Sequence, residues 1–244
     1  MRQYYAPGDH YNVGLWSPGT ASQHEACENL VRRMLDLIPR KTGRILDIAC
    51  GLGASAAHLL AAYPPEAVTG INISAEQLER CRENAPGCTF LVMDATDLEF
   101  EDATFDAVLC VEAAFHFDTR VEFLREAYRV LRPGGRLVLS DILFKSVKWF
   151  GEWMVPPDNL VGFEEYSAAY CTAGFARTSF DDVTEHSWRE FCRRFAEWNR
   201  RQMTTGATSE IDRTVFEETM NGLLTESVAH YLIVAAEKAP DAAM

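Results

Sequence analysis

The stretch RILDIACGLGASA, Arg44 to Ala56, decides the fold of this 244-residue chain. An apolar run leads straight into a glycine-rich turn, and the small residues after the turn begin a predicted helix. Gly51, Gly53 and Ala56 match the loose dinucleotide-binding fingerprint, which is a weak signal on its own. Because a strand that ends in such a turn usually serves a nucleotide-like ligand, the surrounding sequence has to distinguish a dinucleotide from other adenosine-containing ligands.

Strand-like and helical segments alternate on both sides of this turn. Apolar runs typical of strands occupy residues 44–49, 67–73, 88–93, 105–111, 135–144 and 228–238, and residues 176–183 are also predicted as a strand. Helical segments start near Ala54, Ala75 and Thr119. Strands that alternate with helices of this length predict βαβ units, and their nearly continuous apolar character predicts a parallel sheet covered on both faces. We therefore expect an α/β fold.

The last third of the chain is predicted to form a helical insert before the final strand. Residues 185–203 have the pattern of an amphipathic helix, whose aromatic stripe comprises Trp188, Phe191, Phe195 and Trp198. Such an insert would lie over the carboxyl edge of the sheet, where open α/β sheets bind ligands. We expect most of the stripe to be ordinary helix packing.

Composition limits the possible partners and the compartment. The formal net charge is −13, so nucleic acid and anionic membranes would be repelled rather than attracted. The seven cysteines include no C-x-x-C pair, which favours a reducing compartment, and the N-terminus has no apolar signal segment. We expect a cytoplasmic protein with no nucleic-acid or membrane partner, and the histidine spacing indicates no metal site.

Three features outside the turn point away from a dinucleotide. Asp47 lies inside the strand before the turn, and the segment VMDATDL places Asp94 beside Ala95 at the end of the third strand. A carboxylate there can accept a hydrogen bond from an adenine amino group while the neighbouring backbone N–H serves a ring nitrogen. The segment LRPGGRLVLSD, residues 131–141, is predicted as a turn that enters a strand after a long helix.

Together these segments resemble the class I S-adenosylmethionine (SAM)-dependent methyltransferases of the small-molecule, natural-product type. Five pieces between residues 42 and 144 occur in the order of that family: ILDIACGLGAS, VTGINIS, MDATDL, FDAVLCVEAAFHF and LRPGGRLVLSD. The resemblance implies SAM as the cofactor. It also implies a Rossmann-like, seven-stranded, mostly parallel sheet flanked by helices, with N-terminal and C-terminal helical cap elements.

The resemblance further implies one methyltransferase domain over residues 1–244. Its parts are an N-terminal cap (1–40), a SAM-binding core (41–144), substrate-side helices and a lid (145–225), and a final strand and tail (226–244). The residues expected to bind SAM are Asp47, Ala49, Gly51, Gly53, Asn72, Ile73, Gln77, Asp94, Ala95, Glu112 and Tyr11. Asp47 is expected to order the glycine loop. Tyr5, Tyr11 and Trp16 are expected near SAM, with a tyrosine hydroxyl reaching its carboxylate.

One residue departs from the family pattern. The family usually ends its second strand with Asp or Glu, whose carboxylate accepts from both ribose hydroxyls, whereas this chain has Asn72. An amide can accept from one hydroxyl and donate to the other, but it forms no charge-assisted bond. We therefore expect a weaker ribose contact, helped by Gln77 one turn into the next helix. The alternative interpretation is that SAM binding has been lost.

Two residues at the carboxyl edge are candidates for the chemistry. His116 follows the fourth strand and Asp141 ends the fifth, and in related natural-product enzymes a His and an Asp at these places line the acceptor site. A neutral imidazole near pH 7 can take a proton, and a carboxylate can orient the imidazole or bind the acceptor. The alternatives are a capping or packing histidine and an N-cap or solvated carboxylate.

The sequence therefore predicts an enzyme that transfers a methyl group from SAM to a small, fairly apolar acceptor. O-methylation of a secondary metabolite is the first expectation, because a His/Asp pair suits removal of a hydroxyl proton; C- and N-methylation are the alternatives. An NAD-linked oxidoreductase would have an acid in place of Asn72 and a Tyr-x-x-x-Lys pair, and the sequence has neither. A catalytically inactive SAM-binding protein is the non-enzymatic alternative. The oligomeric state does not follow from the sequence.

Overall fold

The computed structural model has a central sheet with helices on both faces. It describes residues 2–5, 8–146, 148–150, 153–204 and 227–241. The strands are β1 (Ile45–Ile48), β2 (Val68–Asn72), β3 (Thr89–Val92), β4 (Phe105–Val111), β5 (Leu131–Phe144), β6 (Lys148–Phe150), β7 (Trp153–Met154), β8 (Arg177–Asp182) and β9 (Val228–Glu237). The helices are α1 (Arg2–Tyr5), α2 (Gln23–Asp36), α3 (Ala54–Leu59), α4 (Ala75–Asn84), α5 (Arg120–Val130), α6 (Phe163–Ala173) and α7 (Glu190–Thr204).

Seven strands form one sheet in the order β3-β2-β1-β4-β5-β9-β8. Neighbours from β3 to β5 pair in parallel, whereas β9 runs antiparallel to both β5 and β8. The prediction of a seven-stranded, mostly parallel sheet flanked by helices is therefore confirmed. Because the chain returns to the middle of the sheet between β3 and β4, the carboxyl ends of β1 and β4 lie side by side at the switch point where such sheets bind ligands.

Alternate residues of the central strands enter two separate cores, one on each face of the sheet. On β1, Ile45 packs into one core and Leu46 into the other, and on β4 Leu109 and Val108 divide in the same way. Residues of α2, α3, α4 and α7 complete the first core, and residues of α5 and α6 complete the second. Burial of both faces explains why the strands read as almost continuously apolar.

Side-chain caps fix where three helices begin. The hydroxyls of Ser22, Ser74 and Thr119 each accept a hydrogen bond from a backbone N–H in the first turn of α2, α4 and α5. Each cap satisfies a donor that helix geometry leaves unpaired. Because α4 and α5 start just beyond the carboxyl edge of the sheet, two of these caps also fix the loops of the candidate site.

Two element boundaries differ from the predictions. The sequence predicts a turn at residues 131–134, yet these residues belong to β5, whose pairing with β4 shifts register before Arg136. Gly135 makes this irregular strand possible, because a Cβ there would lie 2.7 Å from the carbonyl oxygen of Arg132. The helix predicted over 185–203 is two elements, a π-helical turn at Glu185–Arg189 and then α7. The predicted lid (145–225) also includes residues 205–225, which lie outside the described residues.

The aromatic stripe of α7 packs inside the protein. Phe191 and Phe195 are buried, Trp198 is partly buried, and their rings lie 5.0–5.9 Å from the ring of Tyr4, measured between centroids. The interpretation of this stripe as helix packing is confirmed for these residues. In the part of the chain that the structure describes, no helix has the length and apolar character to cross a membrane.

Candidate active site

The turn after β1, residues 49–53, forms a tight loop at the carboxyl edge of the sheet, here called the glycine loop. Ala49, Gly51 and Gly53 have positive φ angles of 55°, 55° and 86°. The Cys50 amide donates to the carbonyl of Ile71 at 3.0 Å, which ties the loop to β2. A left-handed alanine is uncommon, and such strained backbone concentrates at functional sites.

Gly53 has no room for a side chain, which leads to a testable prediction. A Cβ on Gly53 would lie 2.8 Å from the Cα of Cys81, whereas a Cβ on Gly51 would meet no atom within 4 Å. Alanine in a left-handed conformation costs about 1–2 kcal/mol of unfolding free energy at either position. We expect Gly53→Ala to cost about 1–3 kcal/mol more than its control, Gly51→Ala, because a backbone atom has to move. Urea unfolding measures the difference, and equal losses would contradict the close approach.

Asp47 lies on β1, two residues before the glycine loop. Its side chain is buried, and the hydroxyl of Ser55 donates to its Oδ2 at 2.6 Å. Removal from water raises the pKa of Asp47 to about 7. No described residue donates a hydrogen bond to the buried Oδ1. A buried acceptor without a protein partner marks a place where a ligand donor can bind.

The raised pKa of Asp47 predicts a pH-dependent stability. The Asp47 carboxyl keeps its proton to a higher pH in the folded protein than in the unfolded chain. Its contribution therefore lowers the free energy of unfolding as the pH rises from about 4 to 7. Asp47→Asn keeps an acceptor for Ser55 without the charge. We compare the free energy of unfolding of the ligand-free variant with that of the parent protein. The difference in favour of the variant should be up to about 4 kcal/mol larger at pH 8 than at pH 4. Urea unfolding at both pH values tests this, and a pH-independent difference would contradict it.

Asn72 ends β2, and its side chain bridges the glycine loop and α4. Its Nδ2 donates to the carbonyl of Gly51 at 3.2 Å and to Oε1 of Gln77 at 2.7 Å. The backbone N–H of Ser74 donates to its Oδ1 at 3.3 Å. The predicted partners Asn72 and Gln77 are therefore in direct contact. Since both Nδ2 hydrogens are used, Oδ1 is the Asn72 atom left to accept from a ribose hydroxyl, and the amide of Gln77 can supply a donor.

The residues predicted to contact adenine follow the ends of β2 and β3. Because these strands pair in parallel, with Asn72 opposite Val92, Ile73 and Asp94 both follow at the carboxyl edge of the sheet. The Ile73 side chain is 75% exposed, and Ala95 is buried. Asp94 Oδ1 accepts from the backbone N–H and the hydroxyl of Thr96 at 2.8 and 2.7 Å, which fixes the carboxylate in one orientation. An exposed apolar surface beside a fixed carboxylate suits a flat base with an exocyclic amino group.

Residues 10–16, the N-terminal strap, cross the carboxyl edge of the sheet at β4. The Val13 amide donates to Glu112 Oε2 at 2.9 Å, and the Tyr231 hydroxyl donates to the same oxygen at 2.7 Å. Burial raises the pKa of Glu112 to about 7, and its backbone has a φ of 51°. Glu112 therefore joins the strap to β9 through its carboxylate.

A cavity of about 150 Å³ lies among the strap, the glycine loop and the end of β4. Its lining includes His10, Tyr11, Asn12, Ala49, Cys50, Gly51, Ser55 and Glu112. The structure thus brings together four of the residues predicted to bind SAM, namely Tyr11, Ala49, Gly51 and Glu112. Tyr5 and Trp16, which were expected near SAM as well, are buried side chains that do not line this cavity.

The side chains around this cavity fit the predicted cofactor. The amino-acid end of SAM carries an ammonium group, which needs hydrogen-bond acceptors. Asn12, whose side chain is 6% exposed, has a buried Oδ1 to which no described residue donates. Asp47, which lies behind the lining residue Ser55 and accepts its hydroxyl hydrogen bond, has a second acceptor of this kind in Oδ1. Asn12 is not predictable from the sequence, because a single asparagine in an aromatic loop carries no local signal.

His116 closes the 3₁₀ turn Ala114–His116 that follows β4. Its side chain is exposed, yet loss of solvation by the surrounding protein lowers the pKa of His116 below its ordinary value. A lowered pKa keeps the ring neutral at pH 7, so a ring nitrogen can accept a proton. The predicted base role requires this accessibility and this protonation state.

A buried network holds the loop that carries His116. The Asn159 Nδ2 donates to the carbonyls of Phe115 at 3.2 Å and Phe117 at 2.6 Å, the residues on either side of His116. Asn159 Oδ1 accepts from the backbone N–H of Arg120 at 2.8 Å. The sequence analysis did not identify Asn159 either, because these contacts exist only once the 156–160 segment packs against the loop.

The geometry does not support the predicted catalytic role of Asp141. Its side chain is fully buried, Arg120 Nε lies 2.8 Å from Oδ2, and the Ile142 amide donates to Oδ1 at 2.9 Å. Burial raises the pKa of Asp141, and the guanidinium of Arg120 opposes that rise. A carboxylate held in a buried ion pair is not accessible to an acceptor. Asp141 instead anchors Arg120, which binds Asn159 and so supports the His116 loop.

Comparison with known proteins agrees with this geometry. Residues 46–139 match the methyltransferase domain family. The chain is 33% identical to the 27-O-demethylrifamycin SV methyltransferase of Amycolatopsis mediterranei, over 96% of this chain and 91% of that protein. It is 26% identical to the erythromycin 3''-O-methyltransferase of Saccharopolyspora erythraea, over 90% of this chain and 78% of that protein.

Solved structures share the fold. A putative sarcosine dimethylglycine methyltransferase from Galdieria sulphuraria superposes with a TM-score of 0.74 at 16% identity, over 98% of this chain and 97% of that one. The [4+2]-cyclase SpnF superposes with a TM-score of 0.72 at 22% identity, over 96% and 90%. At these identities the likeness shows the fold alone.

Proposed function

We propose that this chain, which belongs to the SAM-dependent methyltransferase family, transfers a methyl group from SAM to a hydroxyl oxygen of a small natural-product acceptor. The main support for a hydroxyl acceptor is the likeness of this chain to the 27-O-demethylrifamycin SV methyltransferase, which extends over nearly the whole of both chains. The exposed, neutral His116 on the loop after β4 supports it, because a hydroxyl has to lose a proton on methylation.

The glycine loop and its neighbours would hold the cofactor. SAM, when bound, supplies an electrophilic methyl group. Asp47 and Asn12 offer acceptors for its ammonium group, Asn72 and Gln77 offer polar groups for its ribose, and Ile73 and Asp94 offer an apolar surface and an acceptor for its base. Holding two reactants in a productive orientation lowers the barrier by several kcal/mol in favourable cases.

His116 removes the proton of the acceptor hydroxyl. Its neutral ring nitrogen accepts that proton, and its side chain is exposed on the loop after β4. Asn159 holds the backbone on both sides of the histidine. The chain thus contributes cofactor alignment and proton removal, the two requirements of O-methylation.

Three predictions accompany this proposal. We propose that residues 1–244 act as one domain with the parts given above, and that the protein is cytoplasmic. We also propose that the acceptor is a free small molecule and not a nucleic acid or a membrane surface, which the net charge of −13 supports.

An acceptor screen tests the proposed reaction. The purified chain is incubated with SAM and a panel of macrolide and polyketide hydroxyls, with matched amines and carbon nucleophiles in parallel. Release of S-adenosylhomocysteine (SAH) measures turnover, and NMR of the product locates the new methyl group. We expect a methyl ether. Methyl groups found only on nitrogen or carbon would overturn the hydroxyl acceptor, and binding of NAD in place of SAM would overturn the cofactor site.

A further inference from the structure

Two cysteines face each other where the glycine loop meets α4. Cys50 belongs to the loop and Cys81 to α4; both are free thiols, and their Sγ atoms lie 3.7 Å apart. The Cys81 thiol also donates to the carbonyl of Gly51 at 3.2 Å. We propose that oxidation of Cys50 and Cys81 to a disulfide is a reversible modification that weakens SAM binding. This inference rests on the proposed SAM site.

Formation of this disulfide has to distort the junction, that is, the place where the glycine loop meets α4. The two sulfurs must approach by about 1.7 Å to reach the S–S bond length of about 2.05 Å. The backbone of α4 is already packed closely against the glycine loop, because even a Cβ on Gly53 would lie only 2.8 Å from Cys81 Cα. Movement of α4 toward the loop is therefore restricted. The Cys50 amide is bonded to Ile71 on β2, so the backbone before the loop is held as well. The groups that have to move for the S–S bond to form are therefore the two cysteine side chains and Gly51.

Gly51 couples the cysteine pair to the cofactor contacts. Its carbonyl accepts from the Cys81 thiol and from Nδ2 of Asn72. A disulfide sulfur carries no hydrogen, so oxidation removes the first of these bonds. Asn72 and Gln77 are hydrogen-bonded to each other across the same junction, and both are proposed to contact the ribose. Oxidation therefore disturbs the loop and the ribose contacts together.

A small oxidant can reach Cys50 through the cofactor cavity, and Cys81 lies buried behind it. Cys50 is among the residues that line this cavity, so a peroxide can enter along the path proposed for SAM. The hydrogen bond with Cys50 lowers the pKa of Cys81, which favours Cys81 as the thiolate that attacks once Cys50 is oxidised. Bound SAM would cover the entrance and protect the pair.

Hydrogen peroxide is the oxidant that the formation of the disulfide requires. A thiolate attacks the O–O bond, forming a sulfenic acid and releasing hydroxide, which takes up the proton that the thiol lost. The second thiol then attacks the sulfenic sulfur, and the second water leaves as the S–S bond forms. Two thiols are oxidised to one disulfide while one peroxide is reduced to two waters. A dithiol reductant reverses the change by thiol–disulfide exchange.

The experiment measures SAH affinity by calorimetry on the whole chain before peroxide, after peroxide, and after subsequent dithiothreitol. Non-reducing peptide mass spectrometry locates the disulfide. We expect a Cys50–Cys81 crosslink, a rise of at least about tenfold in the SAH dissociation constant, recovery with dithiothreitol, and slower crosslinking when SAH is bound. Cys50→Ser and Cys81→Ser should each abolish the response to peroxide. The matched control Cys88→Ser, a partly buried thiol just beyond α4, should respond like the parent protein.

The outcomes separate this inference from the proposed site. If the reduced protein binds no SAH, the proposed cofactor site is wrong. If the reduced protein binds SAH and peroxide yields no Cys50–Cys81 crosslink, or a crosslink with unchanged affinity, the switch alone is refuted. Should one serine variant fail to fold, the other variant and the dithiothreitol reversal still decide the question.

Discussion

Replacing His116 with alanine should lower kcat for methyl transfer by about 100- to 10,000-fold, the usual contribution of a general base. The SAH dissociation constant should stay within about a factor of two, because the proposed SAM contacts lie on other residues. His116 follows β4, whereas those contacts come from the strap, the glycine loop and the ends of β2 and β3. Steady-state kinetics and calorimetry together measure this split between chemistry and binding.

The pH profile gives the same prediction a second readout. Because the pKa of His116 is lowered, the parent enzyme should keep its base neutral at pH 7 and lose kcat only on acidification below the ordinary histidine range. His116→Ala should remove that acidic limb. The matched control is His230→Ala, which deletes an exposed histidine paired with Asp182 and should leave kcat unchanged. Equal losses of kcat and SAH affinity in His116→Ala would refute the base role.

Replacing Arg120 with methionine should lower the free energy of unfolding by about 3–5 kcal/mol, because it leaves the buried carboxylate of Asp141 without its partner. Arg120 also donates to the backbone carbonyls of Asn159 at 2.7 Å and Ile142 at 3.2 Å, so those acceptors lose a donor as well. Urea unfolding measures the loss. The deficit should shrink at low pH, where the unpaired Asp141 takes up a proton.

The double variant Arg120→Met/Asp141→Leu is the control for this prediction. It removes both charges, and replacing a buried ion pair by apolar side chains is often close to neutral for stability. Most of the stability lost in the single variant should therefore return. If the double variant is as unstable as the single one, the cost lies in packing and not in an unpaired charge.

The sequence predicted the parts of the fold and site that depend on local pattern. The apolar runs and the glycine-rich turn predicted the sheet, because two-sided burial leaves strands apolar along their whole length. Asn72 and Gln77 lie five residues apart at a strand end and a capped helix start, so their placement at the same point of the sheet edge followed from spacing, whereas the hydrogen bond between them did not. The sequence also predicted Asp141 at the end of the fifth strand, whereas β5 continues past it to Phe144.

What the sequence did not predict depends on contacts between distant segments. Whether Asp141 faces solvent or a buried arginine is decided by Arg120, which is 21 residues away along the chain. Asn159 binds carbonyls more than forty residues away, and a carbonyl has no sequence signature. Asn12 gains its role only where the strap crosses β4. No periodicity or spacing encodes these arrangements.

A calorimetric titration with SAH tests most directly the central claim that the glycine loop, with Asp47 beside it, binds SAM. The parent chain should bind SAH in equimolar amount, and Asp47→Ala should bind at least about tenfold more weakly while keeping its folded circular dichroism spectrum. Glu99→Ala, an exposed acid in a turn beyond β3, is the matched control and should bind like the parent. Unchanged affinity in Asp47→Ala, or a parent chain that binds a nicotinamide dinucleotide but neither SAM nor SAH, would contradict the claim.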